Sequence, residues 1–253
     1  MRSHCSSDCW EIRDLKKTGN SHVTVVIPAL NEEKSIAGVI WELRHLGYHN
    51  ILVVDGNSRD RTAEIAKDFG ANIIVQNGSG KGAALRQAFN HHGLNGNVVV
   101  MIDADGSMNP KELPALIKAL DSGADVAKAS RFLGYGYSED MNLIRRIGNR
   151  FFLMLVNRFW STNYTDLCYG FGVFRKDSVK KLYPYLKSKN FEIETEIFIK
   201  AKKLGLKVVE APSIEFRRRH GKSNLNAILD GFRILRTILR EFFDGYRTRN
   251  NGN

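Results

Sequence analysis

The chain has 253 residues, of which 43% are hydrophobic and 26% are charged, a composition typical of a soluble globular protein. Its formal net charge is +11, and residues 200–253 hold 13 Lys/Arg against 5 Asp/Glu, a net +8, which favours an anionic partner such as a phosphate or an anionic membrane surface. The sequence lacks the roughly 18 consecutive apolar residues that span a bilayer, a signal-peptide core and any zinc-finger or RNA-binding motif, so we expect a cytoplasmic protein that binds no nucleic acid.

The N-terminal segment, residues 1–21, is predicted to be a flexible extension. His4, Cys5 and Cys9 could begin a metal site, but a structural zinc ion usually needs four ligands and no second cluster supplies the rest. With Cys168 the chain has three cysteines, too few for a disulfide framework, which favours a reducing compartment. We expect a catalytic domain over residues 22–222 and an amphipathic helix with a tail over residues 223–253.

Strands and helices alternate along the predicted catalytic domain. Apolar runs predict strands at residues 23–27, 51–54, 73–75, 98–102, 126–129, 172–174, 208–210 and 214–216, the first ended by Pro28. Helical spacing of apolar residues predicts helices at residues 33–46, 59–69, 82–92, 141–160, 192–204 and 224–243. This order predicts an α/β fold with a mostly parallel sheet, helices on both faces, and ligands beyond the carboxyl ends of the strands.

An Asp-Ala-Asp motif, residues 103–105, follows the apolar strand at 98–102. Mg²⁺ and Mn²⁺ prefer carboxylate oxygens together with substrate phosphates, and such an ion would neutralise charge on a departing diphosphate. By itself the motif is a weak signal, because paired aspartates often only cap a helix.

Two further motifs precede it, VVIPALNEE at residues 25–33 and VVDGNSRDRT at residues 53–62. In this order and at this spacing, the three motifs resemble those of the inverting GT-A glycosyltransferases, and among them the dolichyl-phosphate mannose synthase-like, polyprenyl-phosphate sugar transferases. The resemblance covers residues 23–241. It implies a Rossmann-like GT-A sheet, a nucleotide-sugar donor, a Mg²⁺ or Mn²⁺ cofactor and a polyprenyl-phosphate acceptor. Ser107 departs from the glutamine usual in the mannose synthases, which leaves the donor sugar and the metal geometry open.

The resemblance also assigns roles to individual residues. Nucleotide-sugar binding is implied for Pro28, Ala29, Asn31, Glu32, Asp55, Asn57, Lys81, Asp103, Ala104, Arg217, Arg219 and Lys222. Metal binding is implied for Asp103 and Asp105, and acceptor-phosphate binding for Arg145 and Arg146. Catalytic roles are implied for Asp105, Asp166, Arg131 and Glu194.

Several of these residues have a second interpretation. Asn31 and Glu32 suit a helix N-terminus, and Lys81 could equally be solvated. Asp166 could be a base, could orient the acceptor, or could be structural, because a phosphate acceptor is already an anion. Each single arginine of residues 217–219 could be an ordinary surface cation.

Two C-terminal segments predict contact with a membrane. Arginines border the apolar face of the helix at 224–243, and the segment at 151–160 is apolar nearly all round. We therefore expect peripheral binding to the cytosolic face of a membrane, with a membrane-protein partner as a further expectation. The alternative for the final helix is packing on the catalytic domain, and the segment at 151–160 could instead be buried or form a dimer contact. The alternative acceptor is a glycan or a small molecule.

Overall fold

A computed structural model describes residues 20–221 and 223–250, with side chains as far as residue 244. Residues 1–19 of the predicted N-terminal extension and Lys222 lie outside the described residues. The strands are β1 Val23–Ala29, β2 Asn50–Asp55, β3 Asn72–Val75, β4 Val98–Met101, β5 Val126–Ser130, β6 Tyr137–Ser138, β7 Gly172–Arg175, β8 Val208–Pro212 and β9 Ile214–Glu215. The α-helices are α1 Ile36–His45, α2 Thr62–Asp68, α3 Lys81–Phe89, α4 Leu113–Asp121, α5 Leu143–Trp160, α6 Lys176–Leu182, α7 Ile193–Lys203 and α8 Ala227–Asn250.

Seven strands form one sheet in the order β3-β2-β1-β4-β7-β5-β8. All its pairings are parallel except those of β7, which runs antiparallel to β4 and β5. The mostly parallel sheet predicted from the sequence is therefore confirmed. A short parallel pair, β6 and β9, lies beside it.

The central strands are buried on both faces, which explains their continuous apolar sequences. One core cluster packs α3, α5, α7 and α8 against one face of the sheet, and a second packs α1 and α4 against the other. Strand β1 continues past its predicted end at Pro28. Because β1 pairs with β4 only as far as Val26, the missing N–H of Pro28 costs no hydrogen bond on that side.

Helices α4 and α6 were absent from the sequence prediction. Pro114 occupies the first turn of α4, where a proline needs no N–H partner, and a 3₁₀ turn at Pro110–Glu112 leads into it. Helix α6 has seven residues, with charged side chains that mask its short apolar pattern.

The predicted final helix forms as α8 and packs against α5 and α7. Ile234 and Ile238 enter the core cluster, while Ile228 and Phe232 remain exposed on the opposite side. Glu241 accepts ion pairs from Lys200 and Lys203 of α7, at 2.7 and 2.9 Å. One face of α8 therefore packs on the catalytic domain, and a second apolar face of the helix is exposed to solvent.

Candidate active site

A cavity of about 560 Å³ opens at the carboxyl ends of β1 and β4 and extends between the N-terminal halves of α5 and α8. Ten of the sequence-predicted residues line it, namely Pro28, Ala29, Glu32, Lys81, Asp103, Ala104, Asp105, Arg131, Arg145 and Glu194. Seven others lie outside its lining, namely Asn31, Asp55, Asn57, Arg146, Asp166, Arg217 and Arg219. The carboxyl-end location expected for a parallel sheet is therefore where most of the predicted residues meet.

Lys81 connects two carboxylates from distant parts of the chain. Its Nζ lies 2.6 Å from Oδ1 of Asp103 and 2.6 Å from Oε1 of Glu194. Burial alone would lower the pKa of Lys81, but the two carboxylates more than offset this and hold that pKa above its ordinary value. Burial raises the pKa of both Asp103 and Glu194, with Lys81 opposing the shift. Lys81 is thus a paired cation of the site and not a solvated residue.

Three glycines allow this arrangement. A Cβ on Gly80 would lie 2.3 Å from the carbonyl oxygen of Lys189, and one on Gly82 would lie 2.7 Å from that of Ser188. The glycines around Lys81 therefore allow the start of α3 to pack closely on residues 188–190. In a phosphate loop, by contrast, such glycines allow the backbone to approach a ligand. A Cβ on Gly170 would lie 2.5 Å from Nζ of Lys81, so the cluster also requires glycine there.

A second charged group lies beside the first. Arg218 pairs with Glu32 and places Nη1 3.3 Å from Oδ2 of Asp105. Burial raises the pKa of Glu32 to about 7, with Arg218 opposing and Asp105 adding to the shift. Arg217 and Arg219 of this basic run were predicted to bind the nucleotide sugar. The side chain of Arg217 is exposed, however, and that of Arg219 pairs with Glu42 of α1 at 2.6 Å. Arg218 is the arginine that faces the cavity.

The carboxylates fit a divalent ion that completes its coordination with ligand oxygens. Within the described residues, no group of three or more His, Cys, Asp or Glu side chains converges to hold an ion alone. The four carboxylates of Glu32, Asp103, Asp105 and Glu194 form ion pairs with two cations, Lys81 and Arg218, and this paired set has a formal charge of −2. This hard-oxygen donor set suits Mg²⁺ or Mn²⁺ bound through one or two carboxylates plus phosphate and water.

The loop after β2 lies behind this end of the cavity. Asp55 is buried, and its Oδ2 accepts a hydrogen bond from the Ser58 N–H at 3.1 Å, while its Oδ1 has no hydrogen-bond partner. Asn57 donates to the carbonyl oxygen of Gln76, which does line the cavity. Asn31 accepts from the Arg59 N–H at 2.9 Å, so its side chain braces this loop against the end of β1. Asp55 Oδ1 is thus a buried acceptor without a partner, and Asp55 lies outside the cavity lining.

Asp60 braces the same loop. Its Oδ1 accepts from the Thr62 N–H at 3.0 Å and its Oδ2 from the Glu33 N–H at 3.2 Å.

Arg131 and Asp166 form a buried bidentate pair. Nε of Arg131 lies 2.7 Å from Oδ2 of Asp166, and Nη2 lies 3.0 Å from Oδ1. Burial alone would raise the pKa of Asp166, but Arg131 holds that pKa below its ordinary value. Because Asp166 is fully buried and outside the cavity lining, its position is structural and does not suit the predicted role of base.

The same pair limits what Arg131 can do. It also donates to the Cys168 carbonyl oxygen at 2.8 Å and to Oε2 of Glu215 at 3.0 Å, so four of its five N–H groups are engaged. Arg131 lines the cavity, and its main role there is to hold neighbouring segments together through these hydrogen bonds.

Sequence reasoning missed the charges beneath this pair. Lys128 is fully buried in β5, where it pairs with Glu210 at 2.7 Å and donates to the Asp166 carbonyl oxygen. Glu210 in turn accepts from the Thr165 N–H at 2.9 Å. The sequence did offer one signal for a buried charge, because Lys128 stands in the middle of the strand Val-Ala-Lys-Ala-Ser.

The far end of the cavity lies between α5 and α8. Arg145 lines it and pairs with Asp140 at 3.1 Å, whereas Arg146 is exposed and points elsewhere. Arg233 of α8, which the sequence analysis did not assign to the site, lines the cavity and pairs with Asp230 at 2.7 Å. Asn149 is buried against this end, and its Nδ2 has no hydrogen-bond partner. Two arginines from two helices thus face one volume.

The outer faces of α5 and α8 are apolar and exposed. The large exposed side chains of these two helices are Leu143, Ile144, Ile147, Phe151, Met154, Ile228, Leu229, Phe232, Leu239, Phe242 and Phe243. We call these residues the apolar surface. Exposed arginines at positions 146, 150, 158 and 236 lie on the same helices. Among the described residues, no helix is both long enough and apolar enough to cross a membrane.

A mostly parallel sheet whose carboxyl edge presents paired aspartates to a cavity is typical of glycosyltransferases of the GT-A class. The family model described as Glycosyl transferase family 2 matches residues 24–183, and the chain belongs to that family. The predicted resemblance and the enzyme class are thereby confirmed.

Relatives and solved structures agree with this assignment. The chain is 34% identical over 223 residues to Glycosyltransferase AglJ of Haloferax volcanii, covering 86% of this chain and 71% of that protein. It is 26% identical over 240 residues to the UDP-N-acetylglucosamine–dolichyl-phosphate N-acetylglucosaminyltransferase of Methanococcus voltae, covering 86% and 94%. Its fold is similar to that of glucosyl-3-phosphoglycerate synthase from Mycobacterium tuberculosis in complex with Mn²⁺, UDP-glucose and phosphoglyceric acid, with a TM-score of 0.71, 22% identity and coverage of 94% and 85%.

Proposed function

We propose that the enzyme transfers a hexose from a nucleotide diphosphate donor, of the GDP-mannose or UDP-glucose type, to the phosphate of a polyprenyl or dolichyl phosphate. The reaction inverts the anomeric carbon and uses Mg²⁺ or Mn²⁺. One observation carries the proposal. A single cavity has carboxylates suited to a metal–diphosphate at one end and two arginines between exposed apolar helices at the other.

The donor end supports a nucleotide sugar. Asp55 has an unpartnered Oδ1, and its loop is tied by Asn57 to Gln76 of the cavity lining, so a base or ribose N–H or O–H would satisfy Asp55 if donor binding opens the loop. Asp103 and Asp105 would hold the divalent ion, whose bound charge would offset the charge of the departing diphosphate. Glu194, held by Lys81 at 2.6 Å, lies where it can orient hydroxyl groups of the sugar.

The chemistry requires no base from the protein. An ionised phosphate oxygen of the acceptor attacks the anomeric carbon, the bond from that carbon to the diphosphate breaks, and the nucleoside diphosphate leaves with the electron pair. This direct displacement inverts configuration. It agrees with an Asp166 whose two oxygens are both held by Arg131.

The acceptor end supports an anionic head with an apolar tail. Arg145 and Arg233 provide cations for a phosphate, since an arginine fork matches phosphate oxygens. Phe152, Ile228 and Ile234 line the same part of the cavity and suit an apolar chain. The M. voltae relative, named for a dolichyl-phosphate acceptor, supports the same class of acceptor.

The apolar surface supports peripheral binding at the cytosolic face of a membrane. Attraction to anionic lipid contributes roughly 1 kcal/mol per basic residue near the surface, so the four exposed arginines of α5 and α8 would hold the protein reversibly. A membrane-protein partner remains part of this proposal. Such binding should weaken as salt is raised, because exposed charges are screened.

A thermal-shift screen of sugar nucleotides, each with Mn²⁺, Mg²⁺ or EDTA, tests the donor. A donor at 100 times its Kd stabilises the native state by about 2.7 kcal/mol, and Asp105→Asn should remove the metal-dependent part of this shift. If no sugar nucleotide stabilises the protein with either ion, or if EDTA leaves the shift unchanged, the proposed donor site is wrong.

Liposome flotation with and without anionic lipid, at low and high salt, tests the membrane. Phe232→Ser, on the apolar surface, should reduce flotation, and Trp41→Ser, an exposed aromatic on α1, should not. The acceptor is tested with phytanyl phosphate against water-soluble acceptors such as phosphoglyceric acid. A protein that never floats and uses soluble acceptors equally well would be a transferase of glycans or small molecules.

A further inference from the structure

Arg218 is the only cation among the described cavity-lining residues within 4 Å of Asp105. One terminal nitrogen lies 3.3 Å from Oδ2 of Asp105, the other pairs with Glu32, and Nε donates to the His220 carbonyl oxygen at 2.7 Å. Its side chain is 16% exposed. All three guanidinium nitrogens are therefore engaged, and the group is held in place.

The segment that carries Arg218 is clamped onto the turn that carries Asp105. The Phe216 N–H donates to the Ser107 carbonyl oxygen at 2.8 Å, and the Arg219 N–H donates to the Asp105 carbonyl oxygen at 3.3 Å. Gly106 makes this approach close, since a Cβ there would lie 2.9 Å from Cδ of Arg219. The segment at residues 216–221 thus lies over the donor end of the cavity.

Asp105 has one oxygen left for a cation. Its Oδ1 accepts the Ser107 N–H at 3.0 Å, so Oδ2, the oxygen that faces Arg218, is the one that an ion would use. A guanidinium and a divalent ion cannot share that oxygen without strong repulsion between like charges. The two cations therefore compete.

We propose that Arg218 is a displaceable counter-ion, which latches residues 216–221 over the metal site until a divalent cation at Asp105 releases it toward the diphosphate of the donor. Release of Arg218 by the cation is inferred from the geometry of Asp105 alone. Movement of Arg218 toward a diphosphate rests on the proposed function. Arg218 then opposes binding of the free ion and favours binding of the ion together with a diphosphate. This linkage would make the enzyme bind metal and donor as a pair.

Two titrations of the full chain test the latch. The first measures Mn²⁺ binding by calorimetry without nucleotide, and the second measures binding of UDP and GDP at saturating Mn²⁺. Arg218→Ala should lower the Kd for Mn²⁺ about tenfold, the size expected when a charge-assisted hydrogen-bonded pair no longer opposes the ion, and should raise the Kd for the nucleoside diphosphate. Arg217→Ala, the exposed neighbour, is the matched control and should leave the Kd for Mn²⁺ unchanged.

The two Kd values are predicted to change in opposite directions, and this distinguishes a latch from a structural arginine. Loss of a structural arginine would weaken binding of both Mn²⁺ and the nucleoside diphosphate. Hydrogen exchange gives a second readout, because Mn²⁺ alone should speed exchange of the amides at residues 216–221, and Mn²⁺ with a diphosphate should slow it.

Mn²⁺ affinity in Arg218→Ala no tighter than in Arg217→Ala would overturn the proposal. So would unchanged exchange at residues 216–221 when Mn²⁺ saturates the protein. The predicted shifts in Mn²⁺ affinity, found in a protein that binds no nucleoside diphosphate or sugar nucleotide, would support counter-ion exchange and refute the proposed donor.

Discussion

Replacing Gly170 with alanine should disable the site while the fold persists. The added Cβ would lie 2.5 Å from Nζ of Lys81 and 2.6 Å from Oε1 of Glu194, whereas ordinary contact begins at 3.4 Å. The two atoms lie at the ends of flexible side chains and must shift by 0.9 and 0.8 Å, so we expect the 2.6 Å ion pair of Lys81 and Glu194 to leave its present position. The backbone cannot retreat in their place, because Gly172 is already paired with β4 and β5.

A misplacement of about 1 Å in catalytic geometry costs on the order of 100-fold in rate, which corresponds to about 2.7 kcal/mol of activation free energy. Loss of charge-assisted hydrogen bonds should lower the free energy of unfolding by about 1.5–3 kcal/mol. The assay is kcat/KM with the donor found by the thermal-shift screen, together with Tm for each variant.

Gly148→Ala is the control for stability. Its Cβ would meet only Cε2 of Phe152 at 3.8 Å, an ordinary contact, so an alanine in this helix should raise the free energy of unfolding by about 0.5–1 kcal/mol. If Gly170→Ala keeps kcat/KM within threefold of the wild-type value, the Lys81–Glu194 pair is not part of the catalytic geometry.

Three further predictions follow from the charges of the site. Asp166→Asn should lower Tm by roughly 10 °C, because about 3–5 kcal/mol is lost when one partner of a buried ion pair is removed. It should not alter the pH dependence of the remaining activity, and loss of the acidic limb of the pH–rate profile would instead identify Asp166 as a base. The free energy of unfolding should fall as pH rises from about 4.5 to about 7, because the folded-state pKa of Glu32 is raised to about 7 and the folded protein binds that proton more tightly than the unfolded chain. Glu32→Gln should flatten this part of the profile in urea titrations at pH 5 and pH 7.5, and an unchanged slope would contradict the assigned pKa. NMR of the product should show an inverted anomeric linkage, and retention would contradict the proposed direct displacement.

The sequence predicted the sheet and the edge at which ligands bind. Continuous β-branched runs such as residues 23–27 and 98–102 are typical of strands buried on both faces, and a parallel sheet brings the carboxyl ends of its strands together. Pro28, Asp103 and Asp105 could therefore be assigned to one cavity from their positions after strands alone. The antiparallel direction of β7 could not be predicted, because the short apolar run at residues 172–174 carries no information about strand direction.

Only the tertiary structure decided which charged side chains meet in the cavity. In the irregular run Arg217-Arg218-Arg219 no periodicity fixes side-chain direction, and contacts with Glu42 and Glu32 from distant segments aim Arg219 outward and Arg218 inward. Lys81 and Glu194 are 113 residues apart and meet because residues 188–190 pack on the start of α3. Asp166 lies outside the cavity because it is buried in an ion pair with Arg131. Without that partner, burying its charge would cost several kcal/mol of folding free energy. The sequence thus determined the scaffold through local periodicity, whereas burial and pairing of charges, which depend on packing across the whole fold, decided the roles of its residues.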